Sequence, residues 1–442
     1  MVLAARLRFF WLSGTGFRGW RFGMLSKSQN HMKNLIAAFA VATVTMSTLP
    51  SQEPKPREDM AILANAINDF GMRLYAEVAT GNDNACISPV SVSAVLLMAL
   101  VGAKGETADE LHQVLGLSEI GRKWQPGRVQ KALVDLMADL RASKGPAELN
   151  IVNDMWGQQG YGFLEAYRQQ LLDAGANLHE LDFAKKPEQS RQRINSYIKK
   201  QTRGRIVDLL PRGAITPDMR QVLTNAVYFK ARWDHVFSKK NTSDRPFTLS
   251  NGKVVEVQTM QQEREFFYAE NEQLQALSMR YEENFYEMVV FLPRAGQSID
   301  VARSALQPDA LGTWVDRMRP REVAVSLPKF ELRSSYKKLA VVLQRMGLKR
   351  SFDPVRSDFS GVNGGSEQML LGPIVHKTFL KVEEEGAEAA AATGLMKYAG
   401  RINRDLPAVF TADRPFVLAI RDSRNSSLLF VGQVTDPRQS EL

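Results

Sequence analysis

A single cysteine, Cys86, occurs in 442 residues, so no intramolecular disulfide can form and stability has to come from packing, which a chain of this size allows. Cys86 sits in "NACISPVSV", an apolar setting in which a free cysteine serves as a small core hydrophobe rather than a nucleophile. Histidine is scarce as well. The five (His31, His112, His179, His235, His376) lie far apart, with no H-E-x-x-H and no Cys/His cluster, which leaves no metal site to argue for. No G-x-S-x-G supplies a hydrolase nucleophile. "GTGFRG" (Gly14–Gly19) matches the dinucleotide fingerprint only by chance, because no βαβ unit surrounds it and no acidic residue precedes Glu53. Beyond the N-terminus no apolar run reaches the roughly 20 residues of a membrane span. The absences exclude a motif-bearing enzyme, a cofactor and a membrane-spanning protein.

What is present is a core-forming composition, 44% hydrophobic and 24% charged. The net charge of +9 is unevenly placed: residues 1–57 hold eight Lys or Arg against Glu53 alone, so residues 58–442 carry only +2. The basic balance therefore belongs to the N-terminal segment and gives no reason to expect a nucleic-acid partner. From Met32, "MKNLIAAFAVATVTMSTLPSQEPKPRED" has a lysine, the apolar stretch Leu35–Val44, small residues and a Pro-rich polar linker. That is the layout of a secretory signal peptide, with Met32 as a possible true start. A basic, acid-poor import sequence is the alternative. Export to the extracellular space or a periplasm is the expectation, with residues 1–57 outside the fold and 58–442 forming one domain.

Along that domain, residues 59–80 place Ile62, Leu63, Ile67, Phe70 and Leu74 at helical spacing. Ser88-Pro89 opens a second helix, apolar all round through Val101 and ended by Gly102, hence buried; Glu106–Leu115 begins a third. "LNIVNDMWG" and "QVLTNAVYFKARW" read as strands, the second central in a sheet, with helical patterns at 163–175 and 187–202 between them. "VVEVQTM", "FFYAE", "LQALSMRY", "YEMVVFLP" and "REVAVSLPKFELRSSY" are successive strand candidates separated by turn residues. The C-terminal "PFVLAIRDSRNSSLLFVGQVTDP" reads as a hairpin of Val417–Ile420 and Leu428–Val434. Helices first and strands later, without βαβ rhythm, predict a large α+β domain.

Six stretches in order resemble the serpins: "NACISPVSVSAVLLMALVGAKGETADEL", "INSYIKKQTRGRIVDLLP", "LTNAVYFKARWDHVF", "VSLPKFELRSSYKKLAVVLQRMGLKRSF", "VHKTFLKVEEEGAEAAAATG" and "ADRPFVLAIRDSRNSSLLFVGQV". The resemblance runs from about residue 59 to 437. It implies a single domain of three β-sheets and eight or nine helices, with an exposed reactive loop at about residues 384–410. It also implies a monomer that inhibits a serine protease as a suicide substrate. The protease cuts the loop and forms an acyl-enzyme, and the cut loop then enters the central sheet as a new strand. A non-inhibitory carrier, chaperone or plain substrate is the alternative, as is inhibition of a cysteine protease.

"EEEGAEAAAATG" (383–394) would be a surface helix or linker on composition alone. A segment that must enter a sheet needs small, uncharged residues on its inward face. Counting by twos gives Ala387, Ala389, Ala391, Thr393 and Leu395; the other face carries Glu388, Ala390, Ala392, Gly394 and Met396. Gly386 supplies a pivot. Such a hinge resembles those of inhibitory members of the family. Counting seventeen residues from Glu384 points the reactive bond to Gly400-Arg401 or a neighbour, and counting back from Pro415 selects Arg404. Arg401-Ile402 is the first choice, because a cationic side chain fits the acidic pocket of a trypsin-like enzyme; Arg404 and Gly400 follow. By resemblance, Ser88, Ser91, Asn225 and His376 match the polar "shutter" beneath the central sheet, with His376 hydrogen-bonded to Asn225 and Ser88. Trp233 matches the tryptophan of the upper "breach", where Lys329 and Glu384 match a salt bridge.

Overall fold

In the computed structural model the described residues are 55–118, 120, 127–141, 147–282, 285–336, 339–387 and 406–439. Ten α-helices fall within them: α1 (Lys55–Val78), α2 (Pro89–Gly102), α3 (Gly105–Val114), α4 (Arg128–Arg141), α5 (Glu165–Asp173), α6 (Pro187–Gln201), α7 (Ile299–Ser304), α8 (Ala310–Arg317), α9 (Leu339–Arg345) and α10 (Ser360–Asn363). Among the fifteen strands, the first eight are β1 (Ala85–Ile87), β2 (Glu148–Gln158), β3 (Asn177–Leu181), β4 (Gln221–Arg232), β5 (Thr242–Thr248), β6 (Val254–Glu270), β7 (Leu274–Arg280) and β8 (Tyr286–Pro293). The rest are β9 (Arg319–Pro328), β10 (Phe330–Tyr336), β11 (Ile374–Val382), β12 (Gly386–Ala387), β13 (Ala408–Thr411), β14 (Phe416–Asp422) and β15 (Leu428–Val434).

The α+β class is as expected, with differences in detail. Ten helices fall among the described residues, against the eight or nine implied, the shortest being the four-residue α10. The first helix starts at Lys55 and so takes in three residues assigned to the linker. "VVEVQTM" and "FFYAE" are one seventeen-residue strand, β6, because the polar residues between them pair with β9 from Thr259–Pro328 to Tyr268–Arg319. Ladder pairing overrides the local polarity that suggested a turn. That continuous strand also pairs with β5 and β7. It therefore fuses two of the three implied sheets into one nine-stranded network, ordered β1-β15-β14-β8-β7-β6-β9-β13 with β5 beside β6.

The six-stranded sheet, ordered β10-β11-β4-β2-β3 with β12 against β4, carries the site. Helix α2 is buried along its whole length, which its all-round apolar sequence requires. It lies with the inner-face residues Leu223, Val227 and Phe229 of β4 in the main core. The outer-face residues Val222, Ala226 and Tyr228, with Val375 and Phe379 of β11, pack in a second cluster with Ile194 and Ile198 of α6 and with Ile206, Leu209 and Leu210 that follow it. β4 is therefore sandwiched on both faces, as its nearly continuous apolar sequence demands.

Candidate functional site

The two central strands, β4 and β11, run parallel, from Leu223 opposite Ile374 to Tyr228 opposite Phe379. Their pairing stops there, although β4 continues to Arg232 and β11 to Val382. Into the gap the chain folds back. Glu383 and Gly386 exchange two backbone hydrogen bonds, each 3.0 Å, around the tight turn Glu384-Glu385. Gly386 and Ala387 then pair antiparallel with Arg232 and Ala231 of β4. Gly386 has φ +133°, and a Cβ there would lie 2.2 Å from the Ala231 carbonyl oxygen, so only glycine makes this turn. Ala387 is fully buried and belongs to the main core. A new strand of the central sheet has begun in the uncut chain.

Three consecutive glutamates hold this turn twice over. Their carbonyls accept from the segment just after β4: the Trp233 indole N–H donates to Glu383 (3.0 Å), Phe237 N–H to Glu384 (2.8 Å) and Trp233 N–H to Glu385 (2.9 Å). Their carboxylates pair with three lysines, Glu383 with Lys381 (2.7 Å), Glu384 with Lys329 (2.9 Å) and Glu385 with Lys239 (3.1 Å). Burial by itself would raise the Glu384 carboxyl. The Lys329 ammonium and a backbone N–H reverse that and hold it below its ordinary range. Trp233 is nearly buried and stacks on Tyr281 at 4.3 Å between centroids, 9° from parallel.

Lower in the seam a polar rung crosses four strands. Asn153 of β2 is opposite Asn225 of β4, Asn225 opposite His376 of β11, and His376 opposite Tyr336 of β10. His376 Nδ1 is hydrogen-bonded to Asn225 Oδ1, and its Nε2 accepts from Ser88 N–H at 3.2 Å. Because Nε2 must accept, the proton sits on Nδ1 and the ring is neutral. Complete burial agrees, holding its pKa at about 3. The Asn225 amide donates to the Ser91 carbonyl and hydroxyl, both 2.6 Å, and to Asn153 Oδ1 at 2.7 Å. Ser91 Oγ in turn donates to Asn153 Oδ1 at 3.1 Å. Ser88, Ser91, Asn225 and His376 are thus brought together. Ser88 takes part through its backbone, and its buried hydroxyl has no partner among the described residues.

Sequence reasoning missed Asn153, Tyr281 and two of the three glutamate–lysine pairs. Asn153 carried a weak signal, an amide inside the apolar run "LNIVNDMW". Cys86 is fully buried, with its thiol pushed up to about 12 by that burial, as suits a core position. Glu388, Ala389, Ala390, Ala391, Ala392, Thr393, Gly400, Arg401, Ile402 and Arg404 lie outside the described residues. No helix among the described residues is long and apolar enough to cross a membrane.

Residues 65–437 match the family model described as Serpin (serine protease inhibitor). An uncharacterized serpin-like protein of Thermococcus kodakarensis is 37% identical over 380 residues, covering 85% of this chain and 86% of its own. Serpin B9 of Homo sapiens is 33% identical over 385 residues, 86% of this chain and all of its own. Among solved structures, human thyroxine-binding globulin superposes with a TM-score of 0.77 at 27% identity, over 86% of this chain and 100% of its own. The thermophilic serpin Tengpin in its native state gives 0.75 at 26%, over 85% and 94%.

Proposed function

The chain belongs to the serpin family, and we propose that it is a suicide inhibitor of a trypsin-like serine protease, trapping the acyl-enzyme by inserting its cleaved loop between β4 and β11. The observation that carries this reading is the strand already begun at Gly386–Ala387. Its register is fixed on one side by the Ala387–Ala231 pair and on the other by the Glu383–Gly386 bridge. Continued downward, both registers agree. Glu388 would come between Lys230 and Lys381, Ala390 between Tyr228 and Phe379, and Thr393 between Asn225 and His376. Tyr228–Phe379 and Asn225–His376 are already cross-strand partners. The seam therefore need only open sideways, with no slip of either strand.

The same register explains the composition of the hinge. Odd-numbered residues from Ala387 would face the main core, and even-numbered residues below Glu388 would face the cluster under α6, so alanine is needed on both faces. The one charge, Glu388, would lie level with two lysines. Thr393 would bring a hydroxyl where the His376–Asn225 bond must break. Six parallel pairs are given up. Two antiparallel ladders of about ten residues each replace them, at roughly 1 kcal/mol net per hydrogen bond. That gain rivals the whole stability of a protease domain, about 5–15 kcal/mol, and is enough to distort an active site.

Arg401-Ile402 is the proposed reactive bond, with Arg404 and Gly400 as alternatives, and the expected setting is an exported monomer. Incubation with trypsin followed by a denaturing gel tests the reading. A covalent complex stable to denaturant is expected, and Arg401→Glu abolishes it. Cleaved chain alone, at every ratio of the two proteins, overturns inhibition in favour of a carrier-like or substrate role. Complex that survives Arg401→Glu moves the bond to Arg404 or Gly400.

A further inference from the structure

On the outer face of the central sheet, beside the seam, lies a cavity of about 210 Å³ that the insertion mechanism does not use. Three cationic residues line it, Arg205, Arg333 and Lys377, and none of the described lining residues is acidic. Phe379 is part of the wall, with the Arg333 guanidinium 4.8 Å and the Arg205 guanidinium 5.6 Å from its ring centroid. Ser335 also lines the cavity, and its buried hydroxyl has no partner among the described residues. Arg333 is paired with Glu331 at 2.5 Å, and Lys377 Nζ donates to the Asp208 carbonyl at 2.9 Å. Neither contact brings a carboxylate into the lining.

The cations come from opposite sides of the seam. Arg205 follows α6, which packs over β2 on the β4 side, while the residues after α6 also meet Val375 and Phe379 of β11; Arg333 and Lys377 sit on β10 and β11. We propose that this cavity is an oxyanion site, taking a phosphate or sulfate group between Arg205 on one side and Arg333 and Lys377 on the other, and that a bound anion clamps the seam shut. Charge-assisted hydrogen bonds from guanidinium and ammonium groups suit a tetrahedral dianion. A strand entering between β4 and β11 would separate them by about one further strand spacing, about 4.8 Å, and pull the two halves of the site apart. The anion therefore binds the uncut form more tightly than the inserted one. By linkage it makes insertion less favourable by the same factor, and an anion held across the seam until it opens slows insertion and diverts the chain toward being a mere substrate.

The clamp itself rests on the insertion reading, but anion binding does not, and the test separates them. Uncut full-length protein is titrated with inorganic phosphate, and separately with a sulfated disaccharide, against potassium chloride at matched ionic strength. Hydrogen exchange is followed at residues 205–208 and 377–379. Saturable protection is expected with an oxyanion and not with chloride, and the arm that saturates first identifies a free ion or a sulfated sugar as the source. Arg205→Gln, on an exposed segment, should abolish the protection, as should Lys377→Gln. Equal effects of chloride and both oxyanions, or protection retained in Arg205→Gln, overturn the site. Weakening of binding by about tenfold in loop-cleaved protein supports the clamp. Equal affinity for the cut and uncut forms overturns the clamp while leaving the site.

Discussion

Where β4 and β11 have parted, around Glu383–Ala387, the contacts are charged and reach water; farther down the seam, at Asn225 and His376, they are neutral and sealed. Lys329 and Lys239 keep 33% and 73% of their side-chain surface exposed, while Asn225 and His376 keep none. Part-exposed ion pairs contribute little, commonly 0–1 kcal/mol each, because water replaces a lost partner. A buried neutral group that loses its partner costs about 1–3 kcal/mol. Opening is therefore cheap at the upper end and expensive in the middle. On the proposed insertion, a strand entering from above would bring its own hydrogen-bonding groups to each rung as it separates.

The contrast is tested most severely at Ala387, the first side chain to occupy the gap. Ala387→Arg places a guanidinium in the main core or keeps the strand out, so the covalent complex should vanish while trypsin still cleaves the loop. Undiminished complex in that variant contradicts insertion. Next in size is the effect of cutting the wild-type loop without trapping a protease. A gain of about 10 kcal/mol in ladder hydrogen bonds should raise the melting temperature by on the order of 20 °C. An unchanged melting temperature shows that no strand enters.

His376→Ala leaves both Ser88 N–H and Asn225 Oδ1 without their partner, and a loss of about 3 kcal/mol is expected in urea unfolding. A loss below about 0.5 kcal/mol shows that the rung is not the barrier described. The same residue sets a pH dependence. Its folded pKa of about 3 lies below its unfolded value of about 6.5, so the unfolded chain takes up the proton first. Its contribution is complete above about pH 6.5 and is lost as pH falls toward 3, by about 1.4 kcal/mol per unit. His112, also lowered by burial, acts in the same direction, so the difference between wild type and His376→Gln isolates the shutter. Smallest is Lys329→Gln, whose amide can still donate to the buried Glu384 carboxylate, so about 1–2 kcal/mol should be lost, less as salt is added. A larger, salt-insensitive loss puts the upper end on the same footing as the shutter.

Much of the central sheet was legible because burial imposes a readable pattern. β4 is apolar on both faces and α2 apolar all round, and both are sandwiched. The polar residues 261–265 read as a break within β6, since a one-dimensional pattern does not contain the ladder to β9 that straightens them. Asn153 was overlooked for a similar reason. Its role depends on facing Asn225 across the sheet, and nothing within β2 specifies that neighbour. The Lys381 and Lys239 partners of Glu383 and Glu385 are likewise charges that look like ordinary surface until the turn folds back.

By itself the sequence determined that the chain is an α+β serpin and that residues 383–394 are small and nearly neutral beyond the glutamates, because composition and motif order are local properties. Only the tertiary structure decided that a strand begins at Gly386 beside β4, and that Asn225 and His376 meet across the seam below it. Register is a relation between segments far apart in the chain, as between Ala231 and Ala387, and only the packed sheet fixes it.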